Sequence, residues 1–191
     1  MTTTIDNTST PSPRVAAPLL TIAAVGGAVA VAIGVYGNVH DPTGQAITTF
    51  GFPRVLPMKA WFATGAAFLG ILQLLSALWM WGRLPKAGSS PAWLPPAHRW
   101  LGTAAFLLTL PVAYHCLWSL GFQDTNGRIL AHSILGCAFY GAFTTKMLAL
   151  RSDRLPGWTL PAAGGTLVAI LTAIWLTSSL WFFTTIGFPG V

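Results

Sequence analysis

Five long apolar stretches constrain this 191-residue chain more than any other feature. They cover approximately residues 15–36, 60–81, 100–120, 129–150 and 158–186. A helix needs about 20 predominantly apolar residues to cross the hydrocarbon core of a bilayer. The segments between the stretches carry most of the proline, glycine and charge, and none is long enough for a second domain. We therefore predict an all-α integral membrane bundle of five transmembrane helices, forming a single domain over residues 15–191.

The composition excludes several other classes of protein. Only 7% of the residues are charged, against roughly 25% in an average soluble domain, which excludes an ordinary soluble globule. A disordered chain is excluded as well, because disorder requires low hydrophobicity and high charge. The net charge of +6 does not indicate nucleic-acid binding, because the basic residues are scattered at the ends of apolar stretches and form no patch. The lipid bilayer is the partner that this composition predicts.

The N-terminal region predicts a tail and a retained first helix. Residues 1–14 are rich in Thr, Ser and Pro, so we expect a flexible tail. The apolar stretch that follows is about twenty residues long, which exceeds the apolar core of about 7–15 residues in a signal peptide. It also lacks a clear cleavage site, and we interpret it as a membrane helix.

The basic residues predict the orientation, because cytoplasmic loops carry an excess of Lys and Arg. Seven basic residues fall on the N-terminal side of the membrane: Arg14, Arg83, Lys86, Arg99, Lys146, Arg151 and Arg154. Three fall on the other side: Arg54, Lys59 and Arg128. We therefore expect a cytoplasmic N-terminus in a bacterial plasma membrane, with Val191 outside after five crossings.

Two histidines are the candidate functional residues, because an ionisable side chain in a membrane helix is by default a functional candidate. His115 lies five residues before the end of the third stretch, and His132 lies three residues after the start of the fourth. At about 1.5 Å per residue, both sit roughly 5–8 Å below the same membrane face. Two imidazoles at one depth on neighbouring helices are the arrangement for two axial ligands of a haem iron.

The surroundings of the two histidines fit a haem site. Gly136 follows His132 by four residues and shares its face, which leaves space for a porphyrin edge. Arg128 precedes His132 by four residues, where its guanidinium can pair with haem propionates. Pro111 removes a backbone hydrogen bond and is expected to kink the third helix. The kink matters because packed helices lie about 8–10 Å apart, which is close for a metal between two imidazoles.

Other residues have alternative interpretations. His115 and His132 are also compatible with neutral, hydrogen-bonded core histidines. His40, in the loop after the first helix, permits a copper or zinc site with those two histidines, since imidazole suits both metals. Cys116 points about 100° around the helix from His115, so we expect it not to share that site. His98 and Lys146 are expected to lie at the cytoplasmic interface or to extend towards it.

The chain shows two resemblances, of which the first implies no activity and the second concerns the histidines. Residues 98–183 resemble an uncharacterised family of actinobacterial integral membrane proteins through His98-Arg-Trp-Leu-Gly102, Leu110-Pro-Val-Ala-Tyr-His115, Ala131-His-Ser-Ile-Leu-Gly136 and Leu155-Pro-Gly-Trp-Thr-Leu-Pro161. The histidines that open HxxxG also resemble the b-type haem helices of cytochrome b561 and ferric-reductase-like proteins. That resemblance implies haem ligation at His132 and His115. The chain has too few intramembrane histidines for two haems.

The sequence therefore predicts a b-type cytochrome-like membrane protein with one haem b near the extracytoplasmic face. It would pass electrons from a membrane donor such as a quinol to an outer redox partner. One alternative is a cofactor-free structural or assembly subunit of a membrane complex, which the low charge and short loops also permit. The other is the outer-face copper or zinc site.

Overall fold

The computed structural model describes residues 13–187, and within this range the chain is helical and contains no strand. Its α-helices are α1 (Pro13–Val39), α2 (Val55–Met80), α3 (Leu94–Tyr114), α4 (Gly127–Ala149), α5 (Thr159–Trp175) and α6 (Trp181–Thr185). The all-α prediction is confirmed for these residues. Residues 1–12 of the predicted tail, and Val191, lie outside the described residues, while residues 13–14 already belong to α1.

Two helices contain π-helical turns near one end of the bundle. The first π segment (His115–Leu120) continues α3, and the second π segment (Leu176–Leu180) joins α5 to α6. The first begins four residues after Pro111, which has no backbone N–H for the α-helical ladder. π-Helical turns of this kind are rare and occur frequently at functional sites.

Four helical rods are long and apolar enough to cross a membrane: Ala16–Val39, Val55–Met80, Leu94–Leu120 and Thr159–Thr185. The remaining long helix, α4, carries Arg128, His132 and Lys146 and is not among them. Large apolar side chains on the surface of the rods are exposed, such as Trp100 at 74%. This pattern is typical of a multi-pass membrane protein whose helices contact lipid.

The helices α2 to α5 form a four-helix arrangement with α1 along one side. Helix α2 packs against α3 and α5, and α4 packs against α5 and α1. The buried core joins Ala66 of α2, Phe139 of α4 and Leu171 of α5. At the crossing of α1 and α4, a Cβ atom on Gly141 would lie 2.5 Å from the carbonyl oxygen of Gly26. Glycine is therefore required there for close backbone approach.

The end of the bundle that holds the end of α1 and the beginning of α4 is called the distal end below. The loop after α1 is bound there to the first π segment. The backbone N–H of Thr43 donates to the carbonyl of Trp118 over 3.2 Å, and that of Gly44 donates to Ser119 over 3.1 Å. The Ser119 hydroxyl in turn donates to the carbonyl of Gln45 over 2.6 Å. The loop thus satisfies carbonyl groups that the end of the helix leaves without helical partners.

Candidate functional site

A cavity lies between the helices at the distal end. Its wall includes Ile33 of α1, Ala63 of α2, Cys116 of the first π segment, His132 of α4 and Ile174 of α5. The lining residues enclose about 760 Å³ of space including the open mouth, of which about 100 Å³ accommodates water-sized molecules. The space for water-sized molecules is thus small, and the wall is mostly apolar with a few polar groups, as in typical ligand sites.

His132 is oriented by a threonine of the second π segment. Its Nδ1 lies 3.3 Å from the Oγ1 atom of Thr177. The Thr177 hydroxyl has one hydrogen, and the carbonyls of Ala173 and Ile174 lie 2.8 and 3.0 Å from its oxygen. Because that hydrogen goes to a backbone carbonyl, Thr177 accepts from the Nδ1–H of a neutral His132. The Nε2 atom of His132 then keeps its lone pair, which is the donor a metal needs.

Arg128 is bound to the same threonine. Its Nη1 atom donates to the carbonyl oxygen of Thr177 over 2.6 Å, and its guanidinium carbon lies 4.1 Å from the centre of the Trp181 ring. This carbonyl does not accept from the backbone N–H of Trp181, which donates to the carbonyl of Ser178 instead. Arg128 is thus held one turn before His132, beside the cavity and not within its lining.

His115 is the most deeply buried histidine, at 1% exposure. Its Nδ1 lies 2.7 Å from the carbonyl oxygen of Pro111. A carbonyl only accepts, so Nδ1 carries the hydrogen and Nε2 has the lone pair in the neutral ring. That Nε2 atom is buried and has no hydrogen-bond partner among residues 13–187, and His115 does not line the cavity. Such an atom indicates either strain or a ligand that the protein atoms do not supply.

Cys116 takes the place on the cavity wall where the sequence predicted His115. Its thiol interacts with two side chains, Lys59 from the start of α2 and His132 from α4. Cys116 lines the cavity together with His132, whereas His115, whose site Cys116 was expected not to share, does not line it. Adjacent residues on a helix point about 100° apart, so Cys116 faces the cavity and His115 does not.

The structure brings only part of the predicted site together at the cavity. His132 and Gly136 both line it, and a Cβ atom added to Gly136 would meet nothing within 4 Å. Pro111 lines a neighbouring apolar groove, which shares Ile33 and Tyr140 with the cavity. Thr177 and Lys59 are the residues that sequence reasoning missed. They lie 45 or more positions from His132, and no local pattern links them to it.

The three-histidine copper or zinc site is absent from residues 13–187. In that range, no three side chains of His, Cys, Asp or Glu lie close enough to hold one metal ion. His40 instead stacks between two aromatic rings, with ring-centre distances of 5.1 Å to Tyr36 and 4.6 Å to Trp118. Its position in this stack is set by the loop after α1.

His98 lies at the opposite end of the bundle and joins α3 to α2. Its Nδ1 lies 2.7 Å from the Oγ atom of Ser76, and the Gln73 side chain donates to its backbone carbonyl. Gly102, one turn later, gives the Gln73 side chain its space, because a Cβ there would lie 3.2 Å from it. The histidine that opens this second HxxxG thus contributes to helix packing.

The residues at the distal end fit the donor chemistry of a haem site. His132 lines the cavity, the buried Nε2 of His115 has no hydrogen-bond partner among the described residues, and the wall at Gly136 is open. The volume of the cavity is the exception. About 100 Å³ is below the roughly 300 Å³ of the smallest typical ligand pockets. A macrocycle needs more space than the cavity has in this structure.

Comparison with known proteins gives one family. A family model matches residues 19–190 and is described as a family of unknown function, DUF6529. No curated protein and no solved structure matches the chain.

Proposed function

The chain belongs to the DUF6529 family of unknown function, and from the chemistry of its distal cavity we propose that it is a b-type cytochrome-like membrane protein. It carries one haem b near the extracytoplasmic face. The haem supplies one-electron redox chemistry when bound, and the protein passes electrons from a quinol in the bilayer to an acceptor outside the cytoplasm. The likeness of the HxxxG histidines to those of cytochrome b561 helices supports this proposal.

One observation carries the proposal: His132 lines the cavity while its Nδ1 atom lies 3.3 Å from the Oγ1 atom of Thr177. Thr177 accepts from Nδ1, and Gly136, one turn away, leaves the adjoining wall without a side chain. Ligating histidines almost always donate their other ring N–H to an oxygen in this way. His115, after the end of α3, would supply the second ligand, and its buried Nε2 atom has no hydrogen-bond partner among residues 13–187.

The other residues of the site position the ligand and balance its charge. Arg128 lies at the start of α4, where its remaining N–H groups are available to propionate oxygens beyond the bond to Thr177. The cavity and its neighbouring groove share Ile33, Ala113, Leu117 and Tyr140. These apolar walls exclude water from the ligand and lead towards the side of α1, which is the route by which a lipophilic quinol approaches.

We place the protein in the bacterial plasma membrane with five crossings and a cytoplasmic N-terminus. The excess of basic residues on the N-terminal side supports this orientation. Helix α4 is the fifth crossing, because it packs between α1 and α5. The haem then lies on the outer side, where an extracytoplasmic partner reaches it.

Absorption spectra of the purified protein test the proposal. After expression with sufficient haem, the dithionite-reduced protein should show b-type bands, and His132→Ala should lose them because it removes the ligand at the cavity. His98→Ala is the matched control, since that histidine packs at the opposite end of the bundle and should leave the bands unchanged. A wild-type protein without bands that co-purifies with another membrane protein would favour the cofactor-free subunit instead.

A further inference from the structure

A groove on the side of the bundle lies between α1 and α3, next to the distal cavity. Helix α1 packs mainly against α4, and α3 packs mainly against α2, which leaves a gap between α1 and α3. The wall of this groove includes Ile33 of α1, Leu110 and Ala113 of α3, Leu117 of the first π segment and Tyr140 of α4. Its volume of about 490 Å³ lies within the roughly 300–1,000 Å³ that is typical of ligand sites.

The groove opens sideways into the bilayer. At its distal end α1 meets the first π segment, where a Cβ atom added to Gly37 would lie 3.2 Å from the Cδ2 atom of Leu117. On the outer side, Leu110 and Tyr114 are 40% and 39% exposed. The two rods that border the groove are both long and apolar enough to cross a membrane. The groove is therefore continuous with the surface that contacts lipid.

The depth of the groove matches one leaflet of the bilayer. The rod formed by α3 and the first π segment ends at Leu120, and the groove extends along it from Leu117 to Leu110. At about 1.5 Å per residue, the groove covers about 5–15 Å below the end of the rod. Half of a hydrocarbon core is about 15 Å thick. The groove thus lies at the depth of the acyl chains of the distal leaflet.

The floor of the groove is the ring of Tyr140, whose hydroxyl is bonded elsewhere. That hydroxyl lies 3.0 Å from the Oγ1 atom of Thr109 and 3.1 Å from its carbonyl oxygen. The Thr109 hydroxyl donates its own hydrogen to the carbonyl of Phe106 over 2.7 Å, so Tyr140 donates to Thr109. A polar ligand group at this floor would lose hydrogen bonds and gain no donor, which is costly. A hydrocarbon chain has no such groups to satisfy.

We propose that the groove binds one acyl chain of a phospholipid from the distal leaflet. Ile33, Ala113, Leu117 and Tyr140 line both the groove and the distal cavity. A bound chain therefore closes the lateral side of that cavity, and a lipophilic molecule that enters from this side must displace the chain. The proposal concerns lipid and does not depend on haem.

Photocrosslinking of the full chain in nanodiscs tests the proposal. The bilayer contains a phospholipid with a diazirine in the middle of one acyl chain, and mass spectrometry maps the labelled residues. Tyr140 of the wild type should be labelled, because this half-buried residue is reached through the groove. Ala113→Phe fills the groove and should abolish the label on Tyr140. Ala104→Phe is the matched control, since Ala104 is an exposed residue of α3 and its substitution should leave the label unchanged.

The other outcomes would overturn the proposal. Labels on exposed residues such as Leu107 without a label on Tyr140 would show contact with bulk lipid alone. An unchanged Tyr140 label in Ala113→Phe would mean that the chain does not pass through the groove. Labelling of Tyr140 by a photoreactive isoprenoid, but not by the phospholipid, would assign the groove to a different lipid. If Ala113→Phe does not fold, Ile33→Phe fills the groove from its opposite wall and should abolish the same label.

Discussion

Thr177 determines how His132 presents its lone pair. Thr177→Val removes the oxygen that accepts from Nδ1, so the ring loses its fixed orientation and tautomer. Loss of such an outer partner lowers metal affinity by about 10–100-fold, and we expect a fall of this size in haem affinity, measured by titration of the apoprotein. The matched control is Thr172→Val, whose exposed hydroxyl donates to the carbonyl of Val168 in its own helix. Equal affinities of the two variants would contradict the role of Thr177.

Gly136 leaves the cavity wall open where a macrocycle edge is expected. Gly136→Leu places a side chain into space where a Cβ meets nothing within 4 Å, so it should abolish haem binding without lowering the melting temperature. Gly165→Leu is the control, because that glycine also faces open space but lies away from the cavity. Haem content and thermal unfolding of both variants provide the measurement. Full haem content in Gly136→Leu would place the ligand elsewhere.

For individual residues, the sequence predicted positions that depend on the geometry of one helix. It did not predict contacts that depend on how two helices pack. The spacing of four residues correctly places His132 and Gly136 on one face, and both line the cavity. The bond from His132 to Thr177 spans 45 positions and requires the packing of α4 on α5. The cavity-facing position of Cys116 depends on the rotation of α3 within the bundle, which hydropathy does not report.

The crossing of α1 over α4 depends on glycine. A Cβ at Gly26 would lie 2.6 Å from the carbonyl oxygen of Gly141 and would also overlap the Thr145 side chain. Gly26→Ala should therefore destabilise the protein by about 1–3 kcal/mol, the usual cost of overpacking. Gly27→Ala is the matched control, because its Cβ would meet nothing within 4 Å.

Reversible unfolding in mixed micelles measures both glycine variants. The account predicts a clear difference between Gly26→Ala and Gly27→Ala. Equal stability of the two would mean that α1 does not pack on α4 through Gly26.

The helices themselves were largely predictable, and the π segments were not. The lengths of the apolar stretches predicted five helices, and most predicted ends lie within a few residues of the observed ends. The exceptions are α2 and α3, which begin five and six residues before their predicted starts. The α3 extension begins at Leu94 and includes two prolines, which the first turn of a helix tolerates. The π turns depend on carbonyl partners such as the loop after α1, and apolar length carries no information about them.

The topology of the whole molecule is testable by reporter fusions. A reporter active only outside the cytoplasm should be inactive after Ser89, active after Asp124 and inactive after Asp153. These positions lie in the loops on either side of α3 and α4, and the seven basic residues on the N-terminal side set the orientation. Equal activity after Asp124 and Asp153 would show that α4 does not cross the membrane.

For the whole molecule, composition was sufficient to predict an all-helical membrane protein, and four rods meet the length and apolarity needed to cross. The fifth, α4, falls short because it carries the charged and polar residues, among them Arg128, His132 and Lys146. The most polar helix is thus also the one that contributes to the candidate site.

The haem content of the purified wild-type protein tests the central claim most directly. The pyridine haemochrome assay identifies the haem type, and dividing its result by protein concentration gives the number bound per chain. A distal cavity built around His132 predicts b-type haem at a stoichiometry approaching one. A protein that is folded, expressed with ample haem and free of bound haem would contradict the account.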